Sequence, residues 1–109
     1  MRTVWATLIS FSLAGVALCA DGKELRSNDR FMCNWGAGTA ARAQKLKLSG
    51  VSRYAARQKI QTYKFNKDWM RMMALGITEQ TYDSQSRLKP EAIRRSFYQD
   101  CVKYKLARR

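Results

Sequence analysis

Two cysteines, Cys33 and Cys101, are left in this chain once an export leader is set aside, and a bond between them would force the two ends of the remaining polypeptide to meet. The leader reads from Arg2, through an apolar run from Val4 to Leu18, to small-residue cleavage candidates around Ala17-Leu18-Cys19-Ala20. A cut after Cys19 or Ala20 discards the third cysteine and leaves an even count, which in an exported chain argues for a disulfide. The apolar run is about fifteen residues and is interrupted by Thr7, Ser10 and Ser12, against roughly 20 apolar residues for a membrane span. Lipid attachment at Cys19 would want a small residue before it, and Leu18 stands there. Residues 1–20 are therefore expected to be a signal peptide, with the mature protein periplasmic or secreted. A cross-link closing so long a loop is worth roughly 4 kcal/mol, a large share of the stability of a domain of about 90 residues.

Helical periods fill the rest. Residues 21–27 are polar and carry no apolar period, so a loose arm is expected there, followed by one domain over 28–109. Ser27 or Asn28 can cap a first helix in which Cys33, Ala37, Ala40, Gln44 and Leu48 share a stripe, and Ser49-Gly50 stops it. Gly36-Ala37-Gly38 with Ala40, Ala41 and Ala43 makes that helix a small-residue packing surface. Ser52 caps a second helix with Val51 as its staple, and Ala56, Ile60 and Tyr63 form one face.

Asn66 can cap a third helix, whose inward face is read as Trp69, Met73, Gly76 or Ile77, and Gln80 or Thr81; Gly76 leaves open whether Thr78 starts a separate helix. Met70, Met72 and Met73 beside Trp69 are read as core filler. Residues 83–89 form a loop, and Pro90 opens a fourth helix with Glu91 at its positive end. Along that helix Ile93, Phe97, Cys101 and Tyr104 fall on one side. No run alternates apolar and polar residues, so the expectation is an all-α compact bundle of about four helices closed by one Cys33 to Cys101 disulfide.

Charge narrows the class of partner. The chain has 21 Lys and Arg against 8 Asp and Glu, a net charge of +13. No acid occurs between Asp29 and Asp68, while nine bases do, so the first two helices are expected to present a positive face with Arg42, Lys45, Arg53, Arg57, Lys59 and Lys64 as its anion-binding residues. A second basic cluster, including Arg94, Arg95, Lys103 and Lys105, lies on the last helix. Such a field concentrates anionic partners and weakens with salt. An anionic envelope lipid or glycan and an acidic protein are the expected partners. Aromatic residues interleave with bases at Arg53-Tyr54, Tyr63-Lys64-Phe65 and Lys103-Tyr104-Lys105, a pattern that also admits nucleic acid.

Reaction chemistry is poorly provided for. There is no histidine, the commonest general base and metal ligand, and two bonded cysteines offer no thiolate. Gly36-Ala37-Gly38 follows no strand, so it is not a phosphate cradle. Paired carboxylates could act on a glycan, but Asp68, Glu79, Glu91 and Asp100 sit near helix ends or among bases, where capping and ion pairing account for them. The expectation is a protein that is not an enzyme and has no metal and no cofactor. Two other readings stay beside the anion-binding one. The first is a periplasmic inhibitor or immunity-type protein binding a secreted toxin or enzyme through a hot spot around Trp35 or Trp69. The second is a structural envelope protein with no ligand.

The succession of Cys33, the small residues Ala37, Ala40 and Ala41, Gly50-Val51-Ser52 with Ala56, Ile77 and Tyr82, Pro90-Glu91, Ile93, Phe97-Tyr98 and Cys101 resembles a loose group of small exported bacterial helical proteins with two cysteines. The resemblance implies the fold more than an activity. Related architecture occurs in periplasmic acid-stress chaperones and in immunity proteins against secreted cell-wall amidases; this chain lacks a recognisable inhibitory loop of the latter and differs from the former in its basicity and cysteine positions.

Overall fold

A computed structural model describes residues 25–108. The expected leader, Cys19 and the first part of the expected arm lie outside the described residues. Four helices follow in order: α1 (Ser27–Leu48), α2 (Arg53–Gln61), α3 (Asp68–Asp83) and α4 (Pro90–Ala107). The described residues contain no strand.

The first helix is the hub. Its surface is built from Cys33, Gly36, Ala37, Ala40, Ala41 and Ala43, all buried, and side chains this small let α2, α3 and α4 each approach it. Ser27 belongs to the helix instead of the arm, and Arg26 holds the cap position with no side-chain cap. Ser49 and Gly50 end α1 as expected; Gly50 takes φ +87°, the left-handed geometry that glycine adopts without a Cβ penalty. Ser52 then caps α2, its Oγ accepting from the Ala55 N–H at 3.0 Å. Ala56 and Ile60 of α2 are buried, whereas Tyr63 lies beyond its last turn.

The third helix runs unbroken through Gly76, so no separate helix starts at Thr78, and Lys67 rather than Asn66 takes its cap position. Its inward face is Met70, Ala74, Ile77, Thr78 and Thr81. This corrects the expected Trp69–Met73 stripe: Trp69 and Met73 lie at the margin, and Met72 is 70% exposed. The methionines are therefore not a common core filler. The buried hydroxyls of Thr78 and Thr81 donate to the carbonyls four residues back, Ala74 and Ile77, each at 2.8 Å, so no polar group is stranded by their burial.

Polar side chains of α1 hold the connection after α3. Lys47 Nζ donates to the Thr81 and Ser84 carbonyls, satisfying the end of α3. The fully buried Gln44 donates through Nε2 to the carbonyls of Ser86 and Leu88, at 3.2 and 2.7 Å. Tyr82 Oη closes the other side, donating to the Val51 carbonyl at 2.7 Å.

Pro90 starts α4 as expected. This helix has no fully buried residue; its backbone lies close to α1, and its Ile93, Ser96 and Phe97 share a recess of about 250 Å³ with Gln80, Thr81 and Ser84 at the end of α3. Ile93, Phe97 and Cys101 face inward; Tyr104, expected on the same side, is 59% exposed, and it is the next residue, Lys105, that turns to α1, reaching Asp29 at 3.7 Å. Cys33 and Cys101 are joined, with Cα atoms 5.6 Å apart and a sequence separation of 68. The bridge matters more because the core is modest, its largest fully buried side chains being Ile60, Gln44, Thr78 and Cys33.

Candidate functional site

Residues that cannot enter this small core gather beside it. Phe31 and Trp35, one helical turn apart on α1, face the same way, and the connection between α2 and α3 brings Tyr63, Lys64, Phe65 and Asn66 up to them. With Arg42 and Met70 these residues line an open hollow of about 620 Å³. Trp35 meets Phe65 edge to face, with centroids 6.4 Å apart and planes at 77°, and meets Trp69 likewise at 6.1 Å and 70°. These contacts use the positive rim of one ring against the negative face of another.

Cations sit on the rings. The Arg42 guanidinium lies 5.3 Å from the Tyr63 ring centroid, and Arg71 lies 5.3 Å from that of Phe65 while its Nη2 donates to the Tyr63 carbonyl at 3.5 Å. Guanidinium stacking of this kind leaves the charge available to a ligand while fixing its position. Among the described residues, no carboxylate lines the hollow. Arg42 also lines a smaller recess of about 260 Å³ with Lys45, Arg94 and Pro90, so cations continue from the hollow across α1 towards the start of α4. Another groove, about 560 Å³ and lined by Leu25, Tyr98, Val102 and Leu106, has Arg30, Lys103 and Asp100 on its rim, and so is apolar with mixed charge.

The six bases expected to bind anions separate into two sets. Arg42 and Lys64 meet at the hollow, and Lys45 lies next to it. Arg53 and Arg57 instead turn towards α3: Arg53 reaches Glu79 at 3.1 Å and Asp83 at 2.6 Å, and Arg57 reaches Glu79 at 3.0 Å. The hydrogen bond that Arg53 donates to Asp83 is the main cause of an upward shift in the Arg53 pKa, and the two carboxylates largely cancel the field of this arginine locally. Lys59 is exposed in the last turn of α2. The expected single-sign face is thus interrupted by acids that come from α3.

Phe31, Asn66 and Arg71 are site residues that sequence reasoning missed. The Phe31–Trp35 spacing of one helical turn and the Tyr63-Lys64-Phe65-Asn66 run are the signals that could have found the first two. Among the described residues there is no group of three or more His, Cys, Asp or Glu placed to hold a metal ion, and no helix long and apolar enough to cross a membrane. No family model, curated protein or solved structure matches the chain.

Proposed function

We propose that the protein is an exported, non-enzymatic binding protein whose aromatic and cationic hollow takes an anionic partner. The supporting observation is that Arg42 and Lys64 stand among exposed and half-exposed rings with no carboxylate in the described wall, whereas the other arginine pair is neutralised by α3. Export is supported by the leader-like N-terminus and by the disulfide, a bond that persists in oxidising compartments. Absence of histidine and a bonded cysteine pair support binding over catalysis. Heparin chromatography tests the reading: changing Arg42 and Lys64 together to glutamine lowers the salt needed for elution more than changing Arg53 and Arg57 together does. Equal shifts for the two pairs would reduce the hollow to an ordinary part of a basic surface.

A second reading is favoured by the contact between Trp35 and Trp69, which brings together the two candidate hot-spot tryptophans of an inhibitor or immunity-type protein. It predicts a complex with a secreted toxin or enzyme that survives salt, where the anion-binding reading predicts one that dissolves in it.

A further inference from the structure

We propose that the hollow takes unpaired nucleotides of a nucleic acid strand, a base lying on the wall of Phe31 and Trp35 and the phosphates following Lys64, Arg42 and Lys45 across α1. This names the anion of the reading above and rests on it. The wall is richer in donors than acceptors: Arg42 and Lys64 donate only, and of its side chains the Asn66 amide oxygen and the Tyr63 hydroxyl are the oxygen acceptors. A glycan, whose many hydroxyls need acceptors as well as donors, is poorly matched. A phosphodiester strand needs donors at its backbone and π faces at its bases, and both are present.

Ring geometry points the same way. Trp35 stands nearly perpendicular to Phe65 and Trp69, so a flat ligand lying on one ring meets the rim of another, which fixes its plane. Phe31 is 52% exposed and Arg42 already covers the Tyr63 ring, leaving Phe31 as the freer platform. A lipid headgroup would use the phosphate donors but not a perpendicular aromatic wall. The hollow is open, and Arg42 is shared with the recess holding Lys45 and Arg94, an arrangement that suits a polymer passing through more than a small anion held within.

The test uses the intact oxidised protein, an oligothymidylate of about ten nucleotides, inorganic polyphosphate, and phosphatidylglycerol vesicles, with tryptophan fluorescence and anisotropy as readouts at several salt concentrations. The expected result is quenching by the oligonucleotide, an affinity lowered about tenfold by Phe31→Ala with polyphosphate binding unchanged, and a salt slope reduced by about 0.7 in Arg42→Gln. Lys64→Gln, at an exposed position, is the second variant should Phe31→Ala disturb the fold by circular dichroism, and it should reduce the slope alike. Polyphosphate or vesicles binding as tightly as the oligonucleotide per phosphate, or indifference to Phe31→Ala in a folded protein, would overturn the nucleotide assignment and leave anion binding standing. Failure of Arg42→Gln with Lys64→Gln to weaken any probe would overturn both.

Discussion

Phe97 of α4 occupies the space that a side chain at Gly36 of α1 would fill: a Cβ there would stand 2.8 Å from the ring's Cε1 and 3.1 Å from its Cζ. Gly36→Ala must therefore displace the ring, at a cost of about 1–3 kcal/mol that exceeds the roughly 1 kcal/mol gained in helix propensity. Gly76, in the middle of α3, has nothing within 4 Å of its Cβ position. Gly76→Ala should stabilise by up to about 1 kcal/mol. Urea midpoints moving in opposite directions for the two alanines are the expected outcome; parallel shifts would refute the close approach of ring and glycine as the reason.

Reduction, or Cys101→Ser, restores the freedom of a loop of 68 residues and should cost about 4 kcal/mol by the loop-closure model, with strain lowering that figure. For a domain of this size the melting temperature should fall by on the order of 15 °C. Thermal melts with and without reductant check it, and a fall of only a degree or two would mean that the four helices hold together without the bridge.

Tyr82 supplies a pH dependence. Burial raises its phenol above the ordinary value of 10.0, and the protonated form donates to the Val51 carbonyl. Because the folded value is the raised one, the contribution is whole below the unfolded pKa and is lost as pH rises through the folded one. Stability should decline above about pH 10. Tyr82→Phe should cost about 1 kcal/mol at neutral pH and make that alkaline decline shallower; melts from neutral to alkaline pH compare the two proteins.

Glu79 restrains two arginines at once, and its pairs with Arg53 and Arg57 are solvent-exposed. Glu79→Gln should thus alter stability by no more than about 1 kcal/mol. It should raise the salt concentration at which heparin releases the protein, since Arg57 is freed for anions while Arg53 keeps only Asp83. Unchanged elution would mean that this patch does not contribute to retention.

The four helices and their bridge were legible because each helix has a local signal: Ser52 as a cap, Gly50 as a stop, Pro90 as a start, and cysteines on apolar stripes. The face of α3 was not, because Trp69, Met70, Met72 and Met73 put apolar side chains on most sides of its first turns. Packing against α1 and α2 makes the choice, burying Met70, Ala74 and Ile77 and leaving Trp69 to meet Trp35. The site was half legible. Tyr63-Lys64-Phe65 announced an aromatic and basic segment, but its approach to Phe31 and Trp35 is made in space and leaves no mark along the chain. The same holds for Arg53 and Arg57, whose acidic partners lie more than twenty residues further on.

Since the backbone of α4 lies close to α1 alone among the described helices, its noncovalent attachment and the cohesion of the other three are separable quantities. Hydrogen exchange should divide the amides into two cooperative units, with those of α4 opening at a lower free energy once the sulfurs are reduced. An oxidising compartment then acts as a latch: it holds this basic helix on the hub covalently, and in a reducing one the hold passes to the fit of Phe97 against Gly36 and the packing around it.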